Sequence, residues 1–263
     1  MKQIAAQSKT GLQGFRNDMK LPAAAEYVFR WGCTSELANV KHTVNTAAAI
    51  GKVANKAGFR KTLQEKDLCP ATWFRVEDVK YPCVVRPNEH HQGRWIWKCN
   101  NERELRAAIA QPKCRAKGWY ASEYIDKVAE YRVFVVCGRV VCVAKKTPAD
   151  PRSLAWNVAQ GGRFDNVGWE EWPLKAVRIS IEAFNLSGLD FGGVDVMVDK
   201  AGEVTVLEIN AAPSLTSPYR QGCFAKAFDY IVQHGKEPIP LTKEKGGYRK
   251  FIHPAVDGNA ILA

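Results

Sequence analysis

An α+β fold is what this sequence predicts, on three observations. First, residues 192–210 read as two strands joined by a tight turn. Val194, Val196 and Val198 alternate with Asp195, Met197 and Asp199, and Val204, Val206 and Ile209 form a second β-rich run. Asp199-Lys200-Ala201-Gly202 is the polar, glycine-bearing joint that a hairpin needs. Second, residues 130–141 read as another hairpin, with Cys137-Gly138 in its turn. Third, Ala176, Ile179, Ala183 and Leu186 recur with a helical period and stop before Gly188.

The first hairpin also carries the clearest chemistry. Alternation puts Asp195 on one face of its strand, and Glu208 and Asn210, two apart, share a face of theirs. If the strands pair, three oxygen-bearing side chains converge at one end of the hairpin. Such a set suits a hard cation such as Mg²⁺, which takes one or two carboxylates and completes its shell with water and phosphate oxygens. The plainer reading has both acids facing solvent. Against it stands Leu207-Glu208-Ile209-Asn210-Ala211-Ala212-Pro213-Ser214, an apolar strand that carries an acid and an amide and is stopped by proline.

With 263 residues, 46% hydrophobic and 25% charged, the chain is long enough for one large domain or two small ones. No apolar run reaches membrane-spanning length, and residues 1–10 have no apolar signal-peptide core, so a cytoplasmic protein with no membrane partner is expected. None of the eight cysteines forms a C-x-x-C pair, and they read as reduced thiols rather than zinc ligands. The net charge is +11, with the excess upstream of residue 150. That field favours a polyanion, an acidic peptide or nucleotide phosphates. Nucleic acid is the rival partner, but the chain has no basic run, helix-turn-helix pattern or RNA-binding signature.

In chain order, residues 27–32 read as a short strand ending at Gly32. Residues 45–67 read as helix, capped by Asn45 or Thr46 and broken at Gly58-Phe59. Residues 81–87 form a strand ended by Pro87; residues 88–94 form a loop; and Trp95-Ile96-Trp97-Lys98 form the next strand. Asn100 is expected to cap a helix containing Glu104, Leu105, Ala108 and Ile109. Residues 119–125 read as a strand leading into a linker, and residues 224–232 as a closing helix. From Gly235 the chain is a basic, Pro/Gly-punctuated tail.

Gly-Val-Asp followed by Leu-Glu-Ile-Asn-Ala-Ala-Pro-Ser resembles the metal-binding end of the ATP-grasp fold. Within that superfamily the chain is most similar to ribosomal-protein glutamyl ligases and related phage-encoded carboxylate–amine ligases, over roughly residues 45–225. The resemblance implies an α+β ATP-grasp fold in which two subdomains clamp ATP between antiparallel sheets, behind a truncated N-terminal domain. The expected division is a segment 1–45, subdomains 46–118 and 119–232, and a tail 233–263.

The same resemblance implies ATP and Mg²⁺ as cofactors, one or two ions, with Mn²⁺ as a substitute. Lys56 matches the lysine that reaches the nucleotide phosphates. Val84-Val85-Arg86-Pro87 resembles the family's Val-Val-Lys-Pro strand, with Arg86 keeping the charge as a planar fork. The 88–94 loop, with Gly93, matches the loop over the triphosphate. Glu123, Tyr124 and Ile125 match the hinge that meets adenine, with Ser122 replacing a glutamine, and Glu130 and Arg132 open the family's hairpin beside the nucleotide. Asn157, with Gly161-Gly162 after it, matches the stretch beside the acceptor. Where many relatives carry an arginine near the acyl group this chain has Ala155, and Lys146 or Arg152 is the expected replacement. Asp195, Glu208 and Asn210 are the implied metal ligands.

The function expected is an ATP-dependent carboxylate–amine ligase, acting on a carboxylate and an amine, the latter on an acidic peptide or protein. The rivals are an ATP-grasp kinase and a non-catalytic nucleotide- or nucleic-acid-binding protein.

Overall fold

Val133 to Val136 are four consecutive apolar residues of one expected strand, so both faces of its sheet need cover. The computed structural model provides that cover; it describes residues 3–6, 26–35, 40–90, 93–156 and 158–237. The chain opens with β1 (Gln3–Ala6), β2 (Tyr27–Trp31) and β3 (His42–Val44), a parallel three-stranded sheet in the order β1-β2-β3. Helices α1 (Ala47–Ala54) and α2 (Lys56–Gln64) follow.

A four-stranded antiparallel sheet is built from β4 (Thr72–Trp73), β5 (Cys83–Pro87), β6 (Trp97–Cys99) and β7 (Trp119–Glu123), in the order β4-β7-β5-β6. Helices α3 (Glu102–Ile109) and α4 (Pro112–Lys117) accompany it, with Leu105 and Ala108 packed on Cys83, Val85 and Cys99. A five-stranded antiparallel sheet then forms from β8 (Lys127–Val136), β9 (Arg139–Thr147), β10 (Arg163–Asn166), β11 (Phe191–Asp199) and β12 (Val204–Asn210). Its order is β10-β9-β8-β11-β12. Helix α5 (Leu174–Ser187) lies between β10 and β11 in sequence, and α6 (Pro218–His234) ends the described chain.

The two faces of the five-stranded sheet carry separate cores. Val133 and Val135 pack with Ile181 and Phe184 of α5 and with Phe59 and Leu63 of α2. Phe134 and Val136 face the other way, onto Phe224 and Phe228 of α6 and onto Phe29 and Trp31 of β2. Alternation along one strand therefore docks the helices on one side and the small first sheet on the other. No helix among the described residues is long and apolar enough to cross a membrane.

Several expected boundaries move. The 45–67 helix is two helices, and the break is at Asn55, not Gly58. Asn55 Oδ1 accepts the Gly58 N–H at 3.0 Å and restarts the helix. A Cβ on Gly58 would lie 2.6 Å from Asn55 Nδ2, so the glycine makes room for the cap. Asn101, not Asn100, caps α3, accepting from the Glu104 N–H, while the Glu104 carboxylate returns to the Asn100 N–H. The division expected at residue 118 runs through the four-stranded sheet, because β7 pairs with both β4 and β5. Residues 7–25 and 238–263, within the expected terminal segments, lie outside the described residues.

Asn45 ties the first sheet to the large one. It is fully buried with φ 65°, and its Oδ1 accepts from the backbone N–H groups of Asp190 and Phe191 at 2.7 and 3.0 Å. Its Nδ2 donates to Phe191 O at 2.9 Å. Removing it orphans several buried backbone groups, each worth about 1–3 kcal/mol. Asn45→Ala should therefore destabilise the chain by about 3 kcal/mol in urea unfolding; a loss within about 0.5 kcal/mol would show that this tie is not needed.

Candidate active site

Strand register assembles the site. Across β11 and β12, Asp195 lies opposite Glu208 and Gly193 opposite Asn210, so the three residues singled out on the hairpin share one face. Across β11 and β8, Asp195 lies opposite Arg132. Three adjacent strands thus set Arg132, Asp195 and Glu208 in a row. The two glycines before Val194 keep the row close-packed. A Cβ on Gly192 would sit 2.9 Å from Asn210 O, and one on Gly193 would sit 3.1 Å from Arg132 Cδ.

Asp195 is only 2% exposed, and its charge is fully met. Arg132 Nε donates to Oδ1 at 2.5 Å and its terminal nitrogen to Oδ2 at 2.8 Å, a bidentate pair. Lys146 Nζ donates to Oδ2 at 2.7 Å and also bonds Glu130. Lys127 holds the other oxygen of Glu130 at 2.6 Å. Burial pushes the Asp195 carboxyl up, but Arg132 and Lys146 outweigh it and hold it below its usual range. Burial likewise works against the Lys146 charge, and Asp195 and Glu130 outweigh it and raise its pKa. Glu208 follows the same rule: burial opposes its charge, while Lys56, at 2.6 Å, with Lys146 and Arg132 beyond, holds it far below the carboxylate range.

The second wall comes from α2 and the four-stranded sheet. Lys56 begins α2, and Arg60, one turn on, donates to Leu207 O at 2.8 Å from a buried position. Arg86 of β5 donates to Ser122 Oγ of β7 at 2.9 Å. The arginine expected in place of the family's lysine therefore meets the serine expected in place of its glutamine. His90 is buried beside them, with Nδ1 donating to Pro87 O at 2.8 Å.

These walls enclose a cleft of about 980 Å³. Lys56, Arg86, Gly93, Glu130, Arg132 and Lys146 border it, as do Asp195, Glu208 and Asn210. Glu123, Tyr124 and Ile125 border it where β7 passes into β8. Gly93, with φ 67°, is tied across the mouth by Gln160 Nε2 donating to its carbonyl at 3.1 Å. Arg152 stands at the rim, highly exposed and paired with Asp150, and Ala155 borders the cleft without a charge. Asn157 lies outside the described residues.

Sequence reading missed Arg60, His90 and Lys127. Arg60 had a signal, since residues four apart on a helix share a face with Lys56. Lys127 had one too, as the first basic residue after the Glu-Tyr-Ile hinge. His90 had none, because only the turn after Pro87 buries it.

A hard divalent cation needs oxygen donors that are free to turn toward it. Both Asp195 oxygens are held by Arg132 and Lys146. Glu208 has an ion pair to Lys56 through Oε2, and the Asn210 amide, buried at Nδ2, makes no hydrogen bond there. Glu208 and Asn210 thus offer oxygen donors on one face, with Asp195 beside them, and fit such an ion.

His90 gives a pH signature. Burial, and then the Lys56 and Arg86 charges, push its pKa from 6.5 to about 3. Below its unfolded value the unfolded chain takes up a proton that the folded chain refuses, so stability falls as pH drops from 6.5 toward 3. We expect losses of up to about 1.4 kcal/mol per pH unit from this residue in urea unfolding between about pH 6.5 and 4.5, before most carboxylates titrate. His90→Asn, which keeps a donor toward Pro87 O, should lose much less over that window. Equal losses in both proteins would rule His90 out as the source.

Comparison with known proteins agrees with this architecture. Residues 49–224 match the family model of the RimK-like ATP-grasp domain. The chain is 23% identical over 249 residues to a probable alpha-L-glutamate ligase 2 of Hahella chejuensis (strain KCTC 2396), covering 87% of this chain and 80% of that one. It is 25% identical over 169 residues to N-acetylaspartylglutamate synthase A of Mus musculus, covering 63% of this chain and 42% of that one. Among solved structures, D-alanine–D-alanine ligase of Bacillus anthracis complexed with ATP is similar with a TM-score of 0.58 at 16% identity, over 81% of this chain and 80% of that one. A biotin carboxylase from Campylobacter jejuni is similar with a TM-score of 0.62 at 13% identity, over 84% of this chain and 56% of that one. At such identities the solved structures speak for the fold alone. With the model matched over most of its length, the chain belongs to the RimK-like ATP-grasp family.

Proposed function

We propose that this chain is an ATP- and Mg²⁺-dependent carboxylate–amine ligase that releases ADP and phosphate. The observation that carries the reading is the charge balance of the cleft. Lys56, Arg60, Arg86, Lys127, Arg132, Lys146 and Arg152 line it with Glu123, Asp126, Glu130, Asp195 and Glu208, seven cations to five acids, a small cationic surplus in a partly enclosed site. A triphosphate and a carboxylate together supply the missing negative charge. The absence of a nucleophilic serine or cysteine dyad in the proposed mechanism is no obstacle, because phosphoryl transfer needs positioning and charge stabilisation above all.

In this reading Glu123, Tyr124 and Ile125 meet the adenine, and Lys56 and Arg86 hold the phosphates. Glu208 and Asn210, with Asp195 beside them, would hold Mg²⁺ or Mn²⁺, one or two ions, and the bound metal would neutralise phosphate charge. Arg132 and Lys146 keep Asp195 ionised and fixed. A substrate carboxylate oxygen attacks the γ-phosphorus, the bond to the β–γ bridging oxygen breaks, and ADP leaves. The amine then attacks the acyl carbon, inorganic phosphate departs with the C–O bonding pair, and the amine loses a proton as the amide forms. Lys146 and Arg152 are the described residues proposed nearest the acyl group. Both curated relatives carry glutamate in their names, so L-glutamate is the first amine to test.

Calorimetry of ATP binding with and without Mg²⁺ tests this reading. Wild type should bind ATP more tightly with Mg²⁺, and Glu208→Gln should weaken the Mg²⁺-dependent affinity by at least about tenfold while leaving metal-free binding nearly unchanged. Folded wild-type protein that binds no ATP would sink the proposal.

A further inference from the structure

One buried titratable group on the cleft wall has no part in the chemistry above. His90 is 6% exposed and borders the cleft. Its Nδ1 lies 2.8 Å from Pro87 O. A carbonyl only accepts, so Nδ1 carries the hydrogen and the neutral ring keeps its lone pair on Nε2. Among the described residues Nε2 has no hydrogen-bond partner. With Nδ1 committed to the main chain, Nε2 is the polar atom that His90 can offer to the cleft.

That lone pair is out of keeping with its neighbours. Lys56 of α2 and Arg86 of β5 act on the ring with positive charge, and Glu208 of β12 with a smaller negative one. The Tyr120 ring of β7 lies 6.1 Å away, centroid to centroid. On the ring's own loop, Glu89 is paired with Lys117 at 2.9 Å. Lys56 and Arg86 can only donate, which suits phosphate oxygens. A neutral imidazole beside them presents an acceptor instead, and two acceptors cannot bond. Lys56 does not resolve the mismatch, since its Nζ donates to Glu208 Oε2 at 2.6 Å. Burial and the two cations keep the ring neutral in the free chain. Phosphate oxygens would answer both cations and add negative charge beside the ring. At an effective dielectric of about 20, one such charge about 4 Å away changes a protonation equilibrium by about a thousandfold.

We propose that His90 binds nucleotide phosphate as the imidazolium, so that one solvent proton enters the cleft with the triphosphate. Nε2 then donates to a phosphate oxygen while Nδ1 keeps its bond to Pro87 O. The proposal rests on the reading of Lys56 and Arg86 as phosphate ligands. It makes nucleotide affinity depend on pH through a residue of the loop itself. The proton binds more tightly to the complex than to the free chain, so by linkage the nucleotide binds more tightly as pH falls.

The test uses the full chain with Mg²⁺ and the β,γ-imido analogue of ATP, which keeps the triphosphate intact. The His90 ring Hε1–Cε1 signal reports the charge of the ring in ¹H–¹³C spectra, and its loss in His90→Asn assigns it. Without nucleotide it should hold the neutral position from pH 8 to 5.5. With saturating analogue it should move to the imidazolium position as pH falls over the same range. Calorimetry at pH 6, in two buffers of different ionisation enthalpy, should show wild type taking up about half a proton more than His90→Asn. The variant subtracts the titration of the analogue itself. From pH 8 to 5.5 the wild-type affinity should rise about fourfold relative to that of the variant. A ring that stays neutral in the complex at pH 5.5, or equal proton uptake by wild type and variant, would overturn the proposal. Folded wild type that binds no analogue would overturn it differently, by sinking the nucleotide reading beneath it.

Discussion

A carboxylate in the middle of an antiparallel sheet is costly unless its charge is met, and the site is organised around meeting it. Asp195 has no solvent to rely on, so Arg132 takes both of its oxygens and Lys146 adds a third bond. Lys146 is shared with Glu130, and Glu130 with Lys127, so one buried acid commits side chains from three strands. Such a network tolerates little editing. Losing one member leaves an uncompensated charge in low dielectric, typically at a cost of about 3–5 kcal/mol. The two glycines before Val194 belong to the same constraint, because any side chain there would push Arg132 or the Asn210 carbonyl away.

Around that row the chain gathers positive charge from unrelated elements. Lys56 and Arg60 share a face of one short helix, Arg86 comes from a strand of the other sheet, and Lys127 follows directly on the hinge. All of them border one cleft. Like charges at close range repel, so a surplus of this kind is stable only where solvent, or an anionic ligand, can reach it. On the second wall the small Ser122 leaves room for Arg86 and accepts a hydrogen bond from it.

Much of this architecture was legible because strands and hairpins write themselves as alternation and turn residues. The Cys137-Gly138 turn, the Gly188 stop after α5 and the hairpin through Lys200 all appear where the pattern puts them. Capping was less legible. Gly58 and Phe59 look like a helix break in sequence, and only the bond from the Gly58 N–H to Asn55 Oδ1 shows that the glycine serves a cap three residues earlier. The subdomain boundary was illegible for a related reason: β7 runs straight into the hinge, and which sheet a strand joins depends on hydrogen bonds to β4 and β5, over 30 residues upstream.

By itself the sequence determined which residue types face one side of each strand, where the turns fall, and the order of the pieces that mark the family. Those are local properties, set by side-chain period and by the few residues that turns accept. Only the tertiary structure decided what each charge meets. That Glu208 answers to Lys56, 152 positions away, and that Arg86 lands on Ser122 follow from how three sheets pack. Electrostatic partnership depends on distance in space and on burial, and neither is carried by the spacing of letters along a chain.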